Sequence, residues 1–165
     1  MPMSVLPDGM IKAKDMVSTA TGNRLPPRLT RKSEFRRITR SGERFRLSFL
    51  QMYVHPAIPW GAQRRNPTGG RVGFVVPDRD VKGAVRRNRV RRLMREAVRH
   101  WWKHIRGGCD IVLRANGEPA HDSAFFVERI FLKLAIRAGV LTEEGRALGR
   151  ERIAQLERDG AGVEK

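Results

Sequence analysis

Between Val85 and Arg99 the chain reads Val-Arg-Arg-Asn-Arg-Val-Arg-Arg-Leu-Met-Arg-Glu-Ala-Val-Arg, and apolar and charged positions alternate there with a helical period. Val90, Leu93, Met94, Ala97, Val98 and Trp101 fall at i, i+3, i+4, i+7, i+8 and i+11, one continuous stripe on a helix. Arg86, Arg87, Arg89, Arg91, Arg92, Arg95 and Arg99 take the flanks and the opposite face, with Glu96 the one acid among them. Such a helix buries one side in a core and turns guanidinium groups outward. The planar fork of arginine suits phosphate oxygens better than the point charge of lysine.

The same pattern sets the neighbouring elements. Thr30 or Ser33 is the expected cap of a short helix to about Arg40, stopped by Gly42, with Phe35 and Ile38 on one face. Phe45 to Val54 reads as one strand that places Phe45, Leu47, Phe49, Gln51 and Tyr53 on a single side. Residues 55–70 carry Pro56, Pro59, Gly61, Pro67, Gly69 and Gly70 and read as a loop that displays Arg64 and Arg65. Arg71 to Val76 is a second strand ended by Pro77. The basic helix runs from Lys82 or Ala84 to Lys103, with Gly107 and Gly108 as its stop. Asp110 to Ala115 is a third strand, and Asn116-Gly117 a turn. Asp122 or Ser123 caps a further helix to about Arg137, whose buried side is drawn from Phe125, Ile130, Phe131 and Leu134. A weakly amphipathic helix begins near Thr142. Helices and strands alternate irregularly, which predicts an α+β fold, a mixed α/β sandwich with a small central sheet packed by helices. The expected organisation is a flexible extension over 1–27, one domain over 28–139 and a tail over 140–165.

Charge narrows the function. The 165 residues hold 34 Lys and Arg against 17 Asp and Glu, a net charge of +17. The excess is confined to residues 1–139, at +18, while 140–165 carry −1. That is the electrostatic footprint of a nucleic-acid binder, whose affinity comes largely from counterion release. No lipidation motif and no long apolar run argues for a membrane, and residues 1–27 lack the continuous apolar segment of a signal peptide, so a cytoplasmic location is expected. The single cysteine, Cys109, allows no intramolecular disulfide and reads as a small core residue rather than a nucleophile.

Chemistry by the protein itself has little support. Nuclease sites need clustered carboxylates or an acid–base pair, and the acids of the domain are scattered. Asp78 and Asp80 lie between Arg79 and Lys82. His100 and His104 have a zinc-compatible spacing but no third ligand nearby, and they favour the helix C-terminus as cations. No catalytic side chain and no protein-held metal is expected.

The run Arg71-Val72-Gly73-Phe74-Val75-Val76, followed by Ala84-Val85-Arg86-Arg87-Asn88-Arg89-Val90-Arg91-Arg92-Leu93-Met94-Arg95-Glu96, resembles the protein subunit of bacterial ribonuclease P. Phe35 with Gly42 seven residues on, Tyr53, and the strand Asp110 to Ala115 agree with it, so that the resemblance spans about residues 28–138. It implies a fold with a left-handed βαβ crossover. It also implies an accessory role in an endoribonuclease that removes the 5′ leader from precursor tRNA, with catalysis and Mg²⁺ carried by an RNA subunit. By resemblance Arg87, Asn88, Arg89, Arg91, Arg92 and Arg95 face the catalytic RNA, and the charge of Arg86 places it with them. Phe35 and Tyr53 would line a cleft for the single-stranded leader, with Arg79 and Lys82 beside it. The partners so implied are the catalytic RNA and precursor tRNA, with no obligate protein partner. The chain departs from the family in Asp78-Arg79, where a lysine pair is usual, and in Thr39, where a second aromatic is common. The alternatives are a structural RNA-binding protein of ribosomal type and a DNA-binding regulator; against the second stands the lack of a helix-turn-helix pattern.

Overall fold

A computed structural model of the chain describes residues 28–56 and 71–160. The flexible extension expected over 1–27, and Arg64 and Arg65 of the Pro/Gly-rich loop, lie outside the described residues. The elements are α1 (Lys32–Ser41), β1 (Glu43–Leu47), β2 (Leu50–Pro56), β3 (Arg71–Val75), α2 (Ala84–Trp101), β4 (Cys109–Ala115), α3 (Ala124–Ala138) and α4 (Glu143–Asp159), with a short 3₁₀ turn over Trp102–His104. The sheet order is β1-β2-β4-β3. β4 pairs antiparallel with β2 and parallel with β3, and α2 makes the β3-to-β4 crossover. This is the α+β arrangement expected from the sequence.

All six residues of the α2 stripe are buried: Val90, Leu93, Met94, Ala97, Val98 and Trp101. Val90, Leu93, Met94 and Val98 contribute roughly 1.5–3 kcal/mol each when fully removed from water. All six join Met52, Val72, Ile111, Leu113 and Ala115 from one face of the sheet, and Ile130, Phe131 and Leu134 from α3, in the main core. A second, smaller cluster forms on the opposite face, where Leu29, Ile38, Tyr53 and Val112 pack with Phe35 and Val75.

Several local expectations are corrected. The expected strand Phe45–Val54 is a hairpin of two strands. It turns at Ser48, whose φ of 55° lies in the left-handed region, and at Phe49. The turn breaks the period of two. Phe45 therefore packs against the main core beside its partner Met52, whereas Tyr53 belongs to the smaller cluster. Neither Thr30 nor Ser33 caps α1. Arg31 is the N-cap, and its backbone N–H donates to the Glu34 carboxylate at 3.4 Å. Ser123, not Asp122, caps α3 by accepting from the Phe125 N–H at 3.2 Å. Phe125 is not on the buried side of that helix; it stands in the first turn, 63% exposed. The helix begun at Thr142 is capped by the hydroxyl of that residue, which accepts from Gly145 N–H at 3.0 Å. It packs on α3 and buries Leu156.

Candidate RNA interface

Burial of the apolar stripe leaves the rest of α2 facing outward. Arg86, Asn88, Arg89 and Arg92 are exposed, and Arg87, Arg91 and Arg95 half-buried. The two flanks differ. On one, Arg86 reaches Glu118 at 3.2 Å and Arg89 reaches Asp122 at 2.9 Å, so both bind the segment that leads into α3. These pairs are exposed at both ends, and such pairs are worth little in water. A phosphate can replace the carboxylate at small cost. On the other flank Arg95 lies over the Phe74 ring of β3 at 5.9 Å. Burial, reinforced by the nearby charges of Arg28 and Arg91, lowers its pKa. Arg91 donates to the Asn88 side-chain oxygen at 3.1 Å, which orients that amide with its N–H groups unengaged among the described residues. Arg87 donates to Val81 O at 3.3 Å and ties the start of α2 to the preceding loop. Arg92 has no partner among the described residues, while Arg99 is held by Glu96.

Of the expected leader residues, Phe35 and Tyr53 come together on the opposite face of the sheet. Register places Arg44, Tyr53, Val112 and Gly73 in one row across the four strands, and Arg46, Gln51, Arg114 and Val75 in the next. Phe35 from α1 closes over Gly73, where a Cβ would overlap the ring. Tyr53 is only 9% exposed, and its hydroxyl donates to Gln51 Oε1 at 2.9 Å. Its ring is therefore nearly closed to solvent. Arg79 and Lys82 are exposed in the loop between β3 and α2, and neither touches Phe35 or Tyr53 through any hydrogen bond or ion pair.

Sequence reasoning missed the cations of this face. Arg114 is held by Asp80 at 3.2 Å and by Asn116 at 2.8 Å, and exposed Arg44 and Arg46 stand in register beside Tyr53 and Gln51. Strand alternation within β1 and β4 is the signal that finds them, since Arg44, Arg46 and Arg114 fall on the face opposite Phe45, Leu47 and Leu113. The third row, His55, Asp110 and Arg71, is closed off by α1. Fully buried Asp110 takes guanidinium groups from Arg37 at 3.3 Å and Arg71 at 3.2 Å, and Arg37 also reaches His55 Nδ1 at 3.0 Å. Arg71 pairs with Glu34 as well. Burial alone would lower the Arg71 pKa, but the two carboxylates raise it. This network clamps α1 over that row, and the row of exposed Arg46 and half-buried Arg114 and Val75 lies at the other end of the face.

The remaining candidates have structural partners. The Cys109 thiol is pushed up to about 11, chiefly by burial. His100 Nδ1 lies 3.0 Å from Glu96 O. His104 is buried against Trp101, with ring centroids 5.5 Å apart, and its pKa is lowered by burial and by Lys103 against the opposing pull of Glu144. The described residues contain no group of three or more His, Cys, Asp or Glu placed to hold a metal ion.

The family profile described as Ribonuclease P matches residues 26–139, more than two thirds of the chain. This chain belongs to the ribonuclease P protein family. The ribonuclease P protein component of Chloroflexus aurantiacus is 40% identical over 98 residues, which cover 59% of this chain and 66% of that one. The corresponding component of a Roseiflexus strain is 36% identical over 115 residues, 69% of this chain and 87% of its own. Among solved structures, the RNase P protein of Staphylococcus aureus superposes with a TM-score of 0.56 at 23% identity, over 70% of this chain and 97% of the other, a likeness of fold. The arginine helix and both faces of the sheet lie inside the family match, and α4 lies beyond it.

Proposed function

We propose that this chain is the accessory protein of a ribonucleoprotein that removes the 5′ leader from precursor tRNA, with an RNA subunit performing the hydrolysis. The observation that carries the reading is the division of α2. Its stripe is wholly consumed by the core, while Arg86, Asn88, Arg89 and Arg92 remain at the surface of a family member with a charge of +17. Folded RNA is gripped through phosphates and shape, which an array of guanidinium groups on a rigid helix provides. In this reading Arg86, Arg87, Asn88, Arg89, Arg91, Arg92 and Arg95 contact the catalytic RNA.

The open end of the opposite face receives the leader. Phe35 supplies the stacking surface, Tyr53 bounds the slot, and Arg44, Arg46 and Arg114 draw the backbone, with Arg79 and Lys82 at the mouth. Single strands bind through this combination of aromatic and cationic groups. Mg²⁺ belongs to the RNA subunit here. Of the pair Asp78 and Asp80, Asp80 is engaged by Arg114. The protein acts in the cytoplasm in this reading, and no helix of the described residues is long and apolar enough to cross a membrane.

Binding of precursor and mature tRNA to the reconstituted complex tests the division of labour. Tighter binding of the precursor, with the preference reduced by Phe35→Ala and the affinity for the RNA subunit retained, is expected. No preference for the precursor would overturn the leader assignment.

A further inference from the structure

We propose that the pocket between the start of α3 and the end of α4 receives an unpaired nucleobase of the RNA held by α2. The proposal rests on the RNA-binding reading above and extends that interface onto a helix outside the family match.

The pocket has a volume of about 420 Å³, and His121, Phe125, Phe126, Arg129, Arg152 and Leu156 contribute to its walls. That volume lies within the range of small-molecule sites. The walls are mainly apolar, with Arg129, Arg152 and the acid Asp159 among the polar groups. Phe125 stands 63% exposed at the mouth. The Arg152 guanidinium lies 5.6 Å from the centre of its ring. Arg129 lies 5.4 Å from the Phe126 ring, and His121 meets the same ring edge-on at 5.1 Å. An apolar slot with aromatic faces and arginine planes fits a base, which has two π faces and a polar rim.

Arg152 is fixed rather than loose. Its Nε and Nη2 donate to the Glu128 carboxylate at 3.2 and 3.0 Å, and its Nη1 donates to Gln155 at 3.1 Å. Glu128 in turn accepts the Trp101 indole N–H at 2.9 Å. One buried carboxylate thus ties α2, α3 and α4 together, and the wall contributed by α4 stands at a set position relative to the arginine helix.

The choice of RNA as occupant follows from continuity. His121 and Ser123, on the rim, flank Asp122, which is bonded to Arg89, and Glu118 of the same segment is bonded to Arg86. An RNA that takes over Arg86 and Arg89 displaces this segment's carboxylates and passes along the rim. An unpaired base there needs only to turn inward. Arg152, Gln155, Leu156, Asp159 and Gly160 of the lining come from α4 or its cap, beyond the family match at residue 139, so the contact adds to those of the arginine helix.

The test measures affinity for the catalytic RNA of the same genome across a KCl series, for the wild type, Phe125→Ala, Phe125→Tyr and the double variant Arg89→Ala/Arg92→Ala. Phe125 is exposed, so its replacement leaves the fold intact, which circular dichroism checks. Loss of one stacked base is expected to lower affinity about ten-fold in Phe125→Ala. The salt dependence stays unchanged because no phosphate contact is lost, and Phe125→Tyr retains wild-type affinity. Wild-type affinity in Phe125→Ala overturns the proposal, and it also leaves the pocket to a protein or peptide partner. Equal weakness of the Ala and Tyr variants overturns it too. If the arginine double variant is itself indifferent, the RNA-binding reading fails as well; if only Phe125 is indifferent, that reading stands and the pocket assignment alone falls.

Discussion

The ring of Phe35 lies against the backbone of Gly73, so closely that a methyl group at position 73 would overlap two of its ring atoms. A half-buried aromatic from α1 thereby gains a flat seat on β3 and stays at the edge of the open end of the sheet. Gly73→Ala is expected to push the ring outward and to cost about 1–3 kcal/mol by overpacking. If leader recognition depends on the ring and RNA-subunit binding on α2, as proposed above, precursor preference should fall while subunit affinity holds. Thermal unfolding together with binding of precursor and mature tRNA checks both parts.

Removal of two outward guanidinium groups should act on RNA affinity and not on the fold. Arg89→Ala/Arg92→Ala leaves the α2 stripe untouched and loses one exposed ion pair, to Asp122. Affinity for the RNA subunit should drop roughly ten-fold or more at low salt, and the slope of log affinity against log salt should flatten by about one to two. A salt titration with the wild type alongside gives the slope directly.

Cys109 should be slow toward thiol reagents. With a pKa of about 11 it holds about a hundred-fold less thiolate near neutrality than an ordinary thiol. Reaction with a chromogenic disulfide at pH 7 should therefore be slow in the folded protein and fast after denaturation, with the folded rate still rising above pH 9. Fast reaction at pH 7 in the folded state would contradict the burial described.

His104 gives the fold a pH dependence with a definite sign. Burial lowers its pKa in the folded state, so the unfolded chain binds the proton more readily. This group's contribution to stability is full above the unfolded histidine value of about 6.5 and is lost as pH falls through the folded value. Melting temperature should drop on acidification from pH 7 to 5, and His104→Gln should show a smaller drop. The buried side of His104 faces α4, where Gly145 packs on its Cβ and the Thr142 N–H donates to its backbone oxygen at 2.8 Å. Glu144, 3.9 Å away, opposes the shift, and Lys103 adds to it.

The long periodic helix was readable because its stripe and its arginines are set by local spacing alone, and every stripe residue from Val90 to Trp101 is buried as expected. The strand that became a hairpin was not readable. Ser48 adopts a positive φ without a glycine or asparagine to announce it, and one misplaced turn reverses the faces of Phe45 and Tyr53. Asp110 reads in sequence as one more scattered acid; only the alignment of β2, β3 and β4, with α1 packed across them, brings Arg37, Arg71 and His55 around it. Phe125 shows the same limit on a helix. Its spacing permits burial, but the core beneath is filled by Val127, Ile130, Phe131 and Leu134, and the first-turn residue is left outside.

Cleavage of precursor tRNA by the catalytic RNA of the same genome at low Mg²⁺, with and without this protein, tests the central claim most directly. The expected result is strong stimulation, with cleavage at the mature 5′ end and none by the protein alone. Tight RNA binding without stimulation, or cleavage by the protein without any RNA subunit, would contradict the assignment of an accessory role.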